Sequence, residues 1–174
     1  MKFKRQILLA VLILALPLAA WAGGIEDPYY RQWASFKVGS SVTLAGTAQE
    51  SQGESNFKQT LTLKEVKGDY LMLAISRMEG SKSTNKPKKV DKYLSKNSKM
   101  ADLGQEEITV AGKRYKCHRY KLTYFYDNGK EMLAFTYWFH PDIPGFAKVF
   151  AQSRDPETNH MDSATQTAVS WVKK

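Results

Sequence analysis

Residues 108–148 read ITVAGKRYKCHRYKLTYFYDNGKEMLAFTYWFHPDIPGFAK, two aromatic-rich runs joined by the turn residues 127–130. An Asn-Gly pair between alternating apolar runs is the strongest short-range indication of a two-residue type I′ hairpin, because both turn residues need φ above 0°. With Asn128 and Gly129 as that loop, every position on one strand has a defined partner on the other. The stretch therefore predicts a long β-hairpin that organises the rest of the sheet.

One face of this hairpin is mostly aromatic and aliphatic. In the predicted register Tyr120 lies opposite Tyr137, and Leu122 lies opposite Phe135. Such cross-strand pairs stabilise a sheet by about 0.2–1 kcal/mol each, and the other face has a polar centre. The apolar face is either an ordinary core face or the lining of an apolar ligand site. The candidate lining residues are Tyr120, Leu122, Tyr124, Leu133, Phe135, Tyr137 and Phe139.

The N-terminus has the pattern of a secretory signal peptide. Residues 1–5 carry three basic side chains, residues 7–16 are an unbroken apolar run, and Ala20-Trp21-Ala22 matches the small-x-small cleavage pattern. We expect cleavage after Ala22, which divides the chain into a signal peptide, 1–22, and a single β-rich domain, 23–174. The apolar run is too short to span a bilayer as a stable helix.

The predicted location is the periplasm or the medium. The leader lacks an Arg-Arg pair, so the general secretory route is expected rather than the twin-arginine route. No cysteine follows the cleavage point, which argues against a lipid anchor of the bacterial lipoprotein kind. The mature domain has about 150 residues, enough to bury a core without disulfides.

The periodicity of the mature chain predicts one helix followed by about eight strands. Asp27-Pro28 is a typical helix start, and Tyr29, Trp33 and Phe36 form one apolar stripe that ends before Gly39. Alternating segments then follow without a βαβ pattern, which predicts an antiparallel meander. The expected fold is mainly β (α+β), a curved antiparallel sheet or half-barrel with one N-terminal amphipathic helix.

Residues 79–103 interrupt the alternation and carry the net charge. The whole chain has a formal charge of +9, and the excess of basic residues in the mature domain lies within residues 82–99. We expect either a solvated loop or a contact surface for anionic lipid headgroups or an acidic envelope protein. The lysines concerned are Lys82, Lys86, Lys88, Lys89, Lys92, Lys96 and Lys99.

The sequence has no recognised catalytic motif. It lacks a phosphate-binding glycine loop, a nucleophile elbow, CxxC and HExxH. The sole cysteine, Cys117, is predicted to be a buried thiol, because its neighbour His118 points to the opposite face of a strand. We expect no cofactor, no metal site and no nucleic-acid partner, and a hydrolase that uses Cys117 or His140 is the third functional hypothesis.

Three segments resemble those of small exported bacterial proteins: DPYYRQWASFKVGSSVTL (27–44), VAGKRYKCHRY (110–120) and YWFHPDIPGFAK (137–148). Their layout is similar to the lipoprotein-carrier superfamily, which includes the periplasmic lipoprotein chaperone and the outer-membrane lipoprotein receptor. The resemblance implies a half-barrel closed by helices over an apolar cavity. This chain lacks the lipidated cysteine of the receptor and further lid helices, and no binding residue is carried over.

These observations lead to two main hypotheses. The first is a non-enzymatic exported protein that binds a lipid or another apolar ligand in a half-barrel groove. The second is an envelope protein–protein interaction module that uses residues 82–99 or a free strand edge. They differ in whether the aromatic face covers a ligand or only packs against Trp33 and Phe36.

Overall fold

The computed structural model describes residues 24–51, 53–155, 157, 158 and 160–174. The predicted signal peptide, residues 1–22, lies outside this part of the chain. The described residues form one helix and nine strands, as expected for a mainly β fold. These are α1 (Pro28–Ala34), β1 (Ser41–Glu50), β2 (Gly53–Val66), β3 (Tyr70–Glu79), β4 (Lys82–Asp91), β5 (Ser98–Val110), β6 (Lys113–Phe125), β7 (Glu131–Phe139), β8 (Lys148–Arg154) and β9 (Met161–Val172).

All nine strands belong to one curved, open antiparallel sheet with the order β4-β3-β2-β1-β9-β8-β7-β6-β5. Every strand pairs with its sequence neighbour except β4 and β5, and β1 pairs with β9. The order is that of a barrel opened between β4 and β5. The predicted meander is therefore interrupted once, and the predicted half-barrel is confirmed.

The segment 92–97 connects the two free edges of the sheet. It leaves β4 beside the β2–β3 turn, where Lys92 N donates to Asp69 O at 2.8 Å. It enters β5 beside the β6–β7 hairpin, where Phe125 N donates to Asn97 O at 2.8 Å. Between these points it pairs with the chain just before α1, since Leu94 N donates to Ile25 O at 2.9 Å. We call residues 92–97 the bridge.

The interpretation of residues 79–103 as an irregular segment is wrong, because β4 and the first part of β5 lie within it. Nine of the ten residues of β4 are exposed, so the strand has no alternation of buried and solvated positions. Its lysines and Pro87 are the side chains with which edge strands avoid pairing with other chains. The opposite edge, β5, is interrupted by a bulge between Asp102 and Gly104.

The central hairpin has the predicted register but not the predicted turn. Residues from His118 to Tyr124 pair as expected, with Tyr124 opposite Leu133. The loop has three residues rather than two: Gly129 N donates to Tyr126 O, and Gly129 has φ 78°. This is a type I turn followed by a left-handed glycine. Met132 forms a β-bulge in β7 and has no partner on β6. This extra residue restores the predicted pairing from Tyr124 and Leu133 onwards.

The two-residue turn with positive φ at both positions joins β5 to β6 instead. Ala111 has φ 48° and Gly112 has φ 77°, and Val110 pairs with Lys113. This geometry is that of a type I′ turn, which favours Asn or Gly at the first position. Strands β5 and β6 thus form a second tight hairpin around Ala111-Gly112.

Helix α1 begins as predicted and ends earlier. The Asp27 side chain accepts a hydrogen bond from Tyr29 N at 2.8 Å, and Pro28 occupies the first turn. The helix ends at Ala34 rather than near Gly39, and Phe36 is buried in the turn that follows.

Trp33 fixes the helix against the loop after β7. Its side chain is fully buried, and its ring lies so close to Gly145 that a Cβ at this glycine would approach Cζ2 to 2.7 Å. Gln32 Nε2 donates to the backbone carbonyls of His140 and Ile143 at 2.8 and 3.0 Å.

The core lies between α1 and the side of the sheet that we call the inner face. Strands β1, β2 and β3 contribute aliphatic side chains, such as Leu44, Leu63 and Leu73, and β6 and β7 contribute mainly aromatic ones. Among the described residues no helix has the length and apolar character needed to cross a membrane.

Candidate ligand-binding groove

The predicted aromatic lining forms a ladder of rings on the inner face. Phe135 stacks on Tyr137 with ring centroids 5.5 Å apart, and Tyr137 stacks on Phe139 at 5.4 Å. Tyr124 meets Phe135 edge-on at 6.1 Å. Alternation along β6 and β7 places these rings on one face, and the register brings them into contact.

Helix α1 covers one end of this ladder. Tyr29 stacks on Tyr137 at 5.5 Å with an interplanar angle of 18°. Leu122, Tyr137 and Phe139 are buried, so at this end the aromatic face is part of the core. Tyr124 and Phe135 are only partly buried, because the helix does not reach them. The core interpretation thus holds at the helix end of the face, and the ligand interpretation stays a prediction for the part at Tyr124 and Phe135.

A cavity of about 240 Å³ lies beyond the helix, between the ladder and the bridge. Its aromatic wall comes from the ladder, its opposite wall from β4, and its roof from the bridge. The residues that line it are Asp27, Tyr29, Lys88, Lys89, Val90, Asp91, Tyr93, Leu94, Ser95, Tyr124, Phe135 and Tyr137.

A second cavity of about 80 Å³ adjoins the first. The two share Tyr29, Lys88, Phe135 and Tyr137, so we describe them together as the groove. The second cavity also has a polar part, formed by Gln59 on β2 and Gln166 on β9.

Burial shifts the pKa of five ionisable groups in the groove: Asp27, Lys88, Tyr29, Tyr124 and Tyr137. Burial raises the pKa of Asp27 and, to about 12, that of Tyr124. Burial lowers the pKa of Lys88, whose ammonium lies 5.5 Å from the centroid of the Tyr29 ring. As a whole residue Lys88 is exposed, because it lies on an edge strand. Its ammonium group, however, lies on the concave side of the sheet, where protein atoms replace much of its hydration shell.

Of the seven predicted lining residues, the structure brings three to the groove: Tyr124, Phe135 and Tyr137. Leu122 and Phe139 belong to the core beneath α1. Tyr120 lies against the helix, where its hydroxyl accepts from Arg31 Nη2 at 3.2 Å.

Leu133 shares the inner face of the ladder, since it pairs with Tyr124, but it is not among the residues that line the groove.

The seven predicted surface lysines do not form one patch. Lys82, Lys86 and Lys88 alternate on the inner side of β4, because Lys86 and Lys88 pair with the inner residues Ile75 and Leu73. The other four lie elsewhere: Lys89 on the outer side, Lys92 and Lys96 in the bridge, and Lys99 on β5 at the opposite edge.

The sequence analysis did not place Lys88, Asp27, Gln59 or Gln166 in the groove. A strand assignment for residues 82–91 would have given the position of Lys88, since Val90 marks the buried side of the strand and Lys88 lies two residues before it. Gln59 and Gln166 come close only through the β1–β9 pairing, for which the sequence has no local signal.

A larger space of about 460 Å³ lies on the outer face of β2, β3 and β4. It is a furrow open to solvent, and it exists because the side chains at its floor, such as Thr60, Thr62, Ala74 and Ser76, are short. No aromatic residue lines it. The groove combines enclosure with convergent polar groups, and we therefore regard the groove as the better candidate.

The residues of the hydrolase hypothesis do not line either part of the groove. The Cys117 thiol is fully buried, and burial raises its pKa to about 11, which makes it a poor nucleophile. His140 Nδ1 accepts from Asp142 N at 3.1 Å within the loop after β7.

His118 Nε2 lies 2.7 Å from Asp102 Oδ1, a contact that joins β6 to β5. Among the described residues no group of three His, Cys, Asp or Glu side chains could hold a metal ion.

No protein-family model and no curated protein matches the sequence. In structure, the chain is similar to the crystal structure of an outer membrane lipoprotein-sorting protein domain from Vibrio parahaemolyticus, with a TM-score of 0.45 and 9% identity. The match covers 83% of this chain and 89% of that domain. This similarity concerns the fold alone, and it agrees with the resemblance in layout that the sequence indicated.

Proposed function

We propose that the protein is an exported, non-enzymatic binding protein that holds an apolar ligand, such as a lipid chain, in the groove. The observation that carries the proposal is the position of Tyr124 and Phe135, whose partly buried rings line a cavity of about 240 Å³ beyond the end of the helix. An apolar wall rimmed by polar residues is typical of a binding site.

The dimensions of the groove favour a slender ligand. Sites for drug-sized molecules usually enclose roughly 300–1,000 Å³, and the main cavity is slightly smaller than this range. A single aliphatic chain matches this volume better than a ligand with several chains. A bulkier molecule would require the bridge to separate from residues 25–27 and to lose the hydrogen bonds of Asp27 N and Leu94 N.

Two further features support the exported and non-enzymatic parts of the proposal. The pattern of residues 1–22 is that of a secretory leader. Among the described residues, the groove is lined by the carboxylates of Asp27 and Asp91, by Lys88 and Lys89, and by no histidine or cysteine, so it lacks the usual nucleophile–base combination.

The protein–protein hypothesis receives less support from the geometry. The lysines on which it rests are distributed over both faces and both edges of the sheet. Both edge strands also carry features that discourage strand addition, Pro87 on β4 and the bulge before Gly104 on β5. We therefore propose the groove, and not the lysines, as the main contact site.

A titration with the neutral apolar dye N-phenyl-1-naphthylamine tests this function. The wild-type protein is expected to bind the dye with enhanced fluorescence. Phe135→Gln should weaken binding about tenfold, because an amide replaces a large part of the aromatic wall. Phe150→Gln is the matched control, since Phe150 is also partly buried, lies on the adjacent strand and points to the outer face.

The outcome distinguishes a groove from a filled core. If the two variants bind the dye as the wild type does, or if the wild type does not bind it, the ligand hypothesis is wrong. Circular dichroism of each variant verifies that the sheet remains folded.

A further inference from the structure

Lys88 is an unusual residue in the wall of an apolar groove. It lies opposite Leu73 on β4, and its ammonium stands 5.5 Å above the Tyr29 ring. Among the described residues it has no hydrogen bond and no ion pair of its own. The Asp27 carboxylate acts on this ammonium electrostatically but does not form an ion pair with it. The ammonium therefore loses hydration without a direct anionic contact, which favours the binding of an anion there.

The second cavity provides further polar groups next to Lys88. Gln59 and Gln166 line it, and Gln166 Oε1 is buried without a hydrogen-bond partner within the described part of the chain. The carboxamide can rotate to present its NH₂ group instead, because its two ends differ only in hydrogen bonding. An unsatisfied buried amide is unfavourable, and a ligand that accepts a hydrogen bond would remove this cost.

Asp27 determines on which side of Lys88 an anion would lie. Its carboxylate lines the first cavity and not the second, and it already accepts a hydrogen bond from Tyr29 N. Negative charge in the first cavity would be repelled by this carboxylate. The favourable position is therefore the second cavity, on the side of Gln59 and Gln166.

We propose that the ligand is a single-chain amphiphile with a carboxylate head, bound with its chain along Tyr124 and Phe135 and its carboxylate at Lys88, Gln59 and Gln166. This inference rests on the proposed function and specifies the ligand class. The apolar chain occupies the first cavity, and the head lies in the second, where the groove supplies one positive charge and two amides.

Competition titrations with two ligands of equal chain length test the head-group site. Dodecanoate and 1-dodecanol are each used below their aggregation concentration to displace the naphthylamine dye. The wild type should bind dodecanoate about ten- to a hundredfold more tightly than dodecanol, the range expected for a hydrogen bond to a charged group. Lys88→Met should remove this preference, whereas Lys88→Arg should retain most of it.

Lys82→Met is the matched control, because Lys82 also lies on the inner side of β4 but lines neither part of the groove. Equal binding of the two ligands by the wild type, or equal effects of Lys88→Met and Lys82→Met, would overturn the head-group assignment while the proposed groove stands. If neither ligand nor the dye binds the folded wild type, the proposed function itself fails.

Discussion

Ala111 illustrates how a single residue can hold an unfavourable conformation in this fold. It occupies the first position of the β5–β6 turn with φ 48°, in the left-handed region where a Cβ approaches the following carbonyl oxygen. It is exposed, so no side-chain packing compensates for the strain. The turn is determined by the pairing of Val110 with Lys113 rather than by the residue itself.

We therefore expect Ala111→Asn to stabilise the protein by about 0.5–1 kcal/mol, because Asn tolerates this conformation and is preferred in type I′ turns. Ala111→Val should have the opposite effect, since a β-branched residue is strongly disfavoured at positive φ. Urea unfolding gives both changes in the free energy of unfolding. A destabilising effect of Asn equal to that of Val would show that the turn does not have this geometry in solution.

At the scale of elements, α1 and the loop after β7 depend on one another. The indole ring of Trp33 occupies the space that a side chain at Gly145 would need, and Gln32 is hydrogen-bonded to the same loop. The helix has seven residues, too few to be stable by itself in water, so this packing holds it over the aromatic ladder.

Gly145→Ala should therefore destabilise the protein by about 3 kcal/mol, through backbone strain at φ 74° together with overlap with a ring that cannot move away. Gly129→Ala is the control: its φ is 78°, but nothing lies within 4 Å of the added Cβ, so only strain of about 1 kcal/mol is expected. Denaturant unfolding measures both. Equal losses would contradict the close packing of Trp33 on the loop.

The elements also show what the sequence can predict. Amphipathic strands such as β2, β6 and β7 are recognisable from alternation, and the helix start from Asp27-Pro28, because burial of one face determines the pattern. Strand β4 is not recognisable in this way, since almost all of it is exposed and its conformation is determined by pairing with β3. The turn at Asn128 was misassigned because Asn-Gly is compatible with two loop types and local sequence does not distinguish them.

At the scale of the whole molecule, the pairing of β1 with β9 is what turns two meanders into one curved sheet. It places the charged edge strand β4 across from the aromatic strands β6 and β7, with the bridge between them. The aromatic wall was predictable from β6 and β7 alone. The polar groups opposite it were not, because Lys88, Gln59 and Gln166 come from three strands that are distant in sequence.

The same arrangement explains why the groove is narrow. The bridge and the residues before α1 are joined by backbone hydrogen bonds over the cavity, while Tyr29 fills the space at the other end. The groove is thus the part of the inner face that neither the helix nor the bridge covers completely.

Native mass spectrometry of the protein purified without detergent from its natural host is the most direct test of a ligand in the groove. We predict a mass above that of the polypeptide, and release of the excess by organic solvent as a single-chain amphiphile. Phe135→Gln purified in the same way should carry less of it, and Phe150→Gln should carry the wild-type amount. A wild-type protein that has only the polypeptide mass and binds no apolar dye would contradict the account.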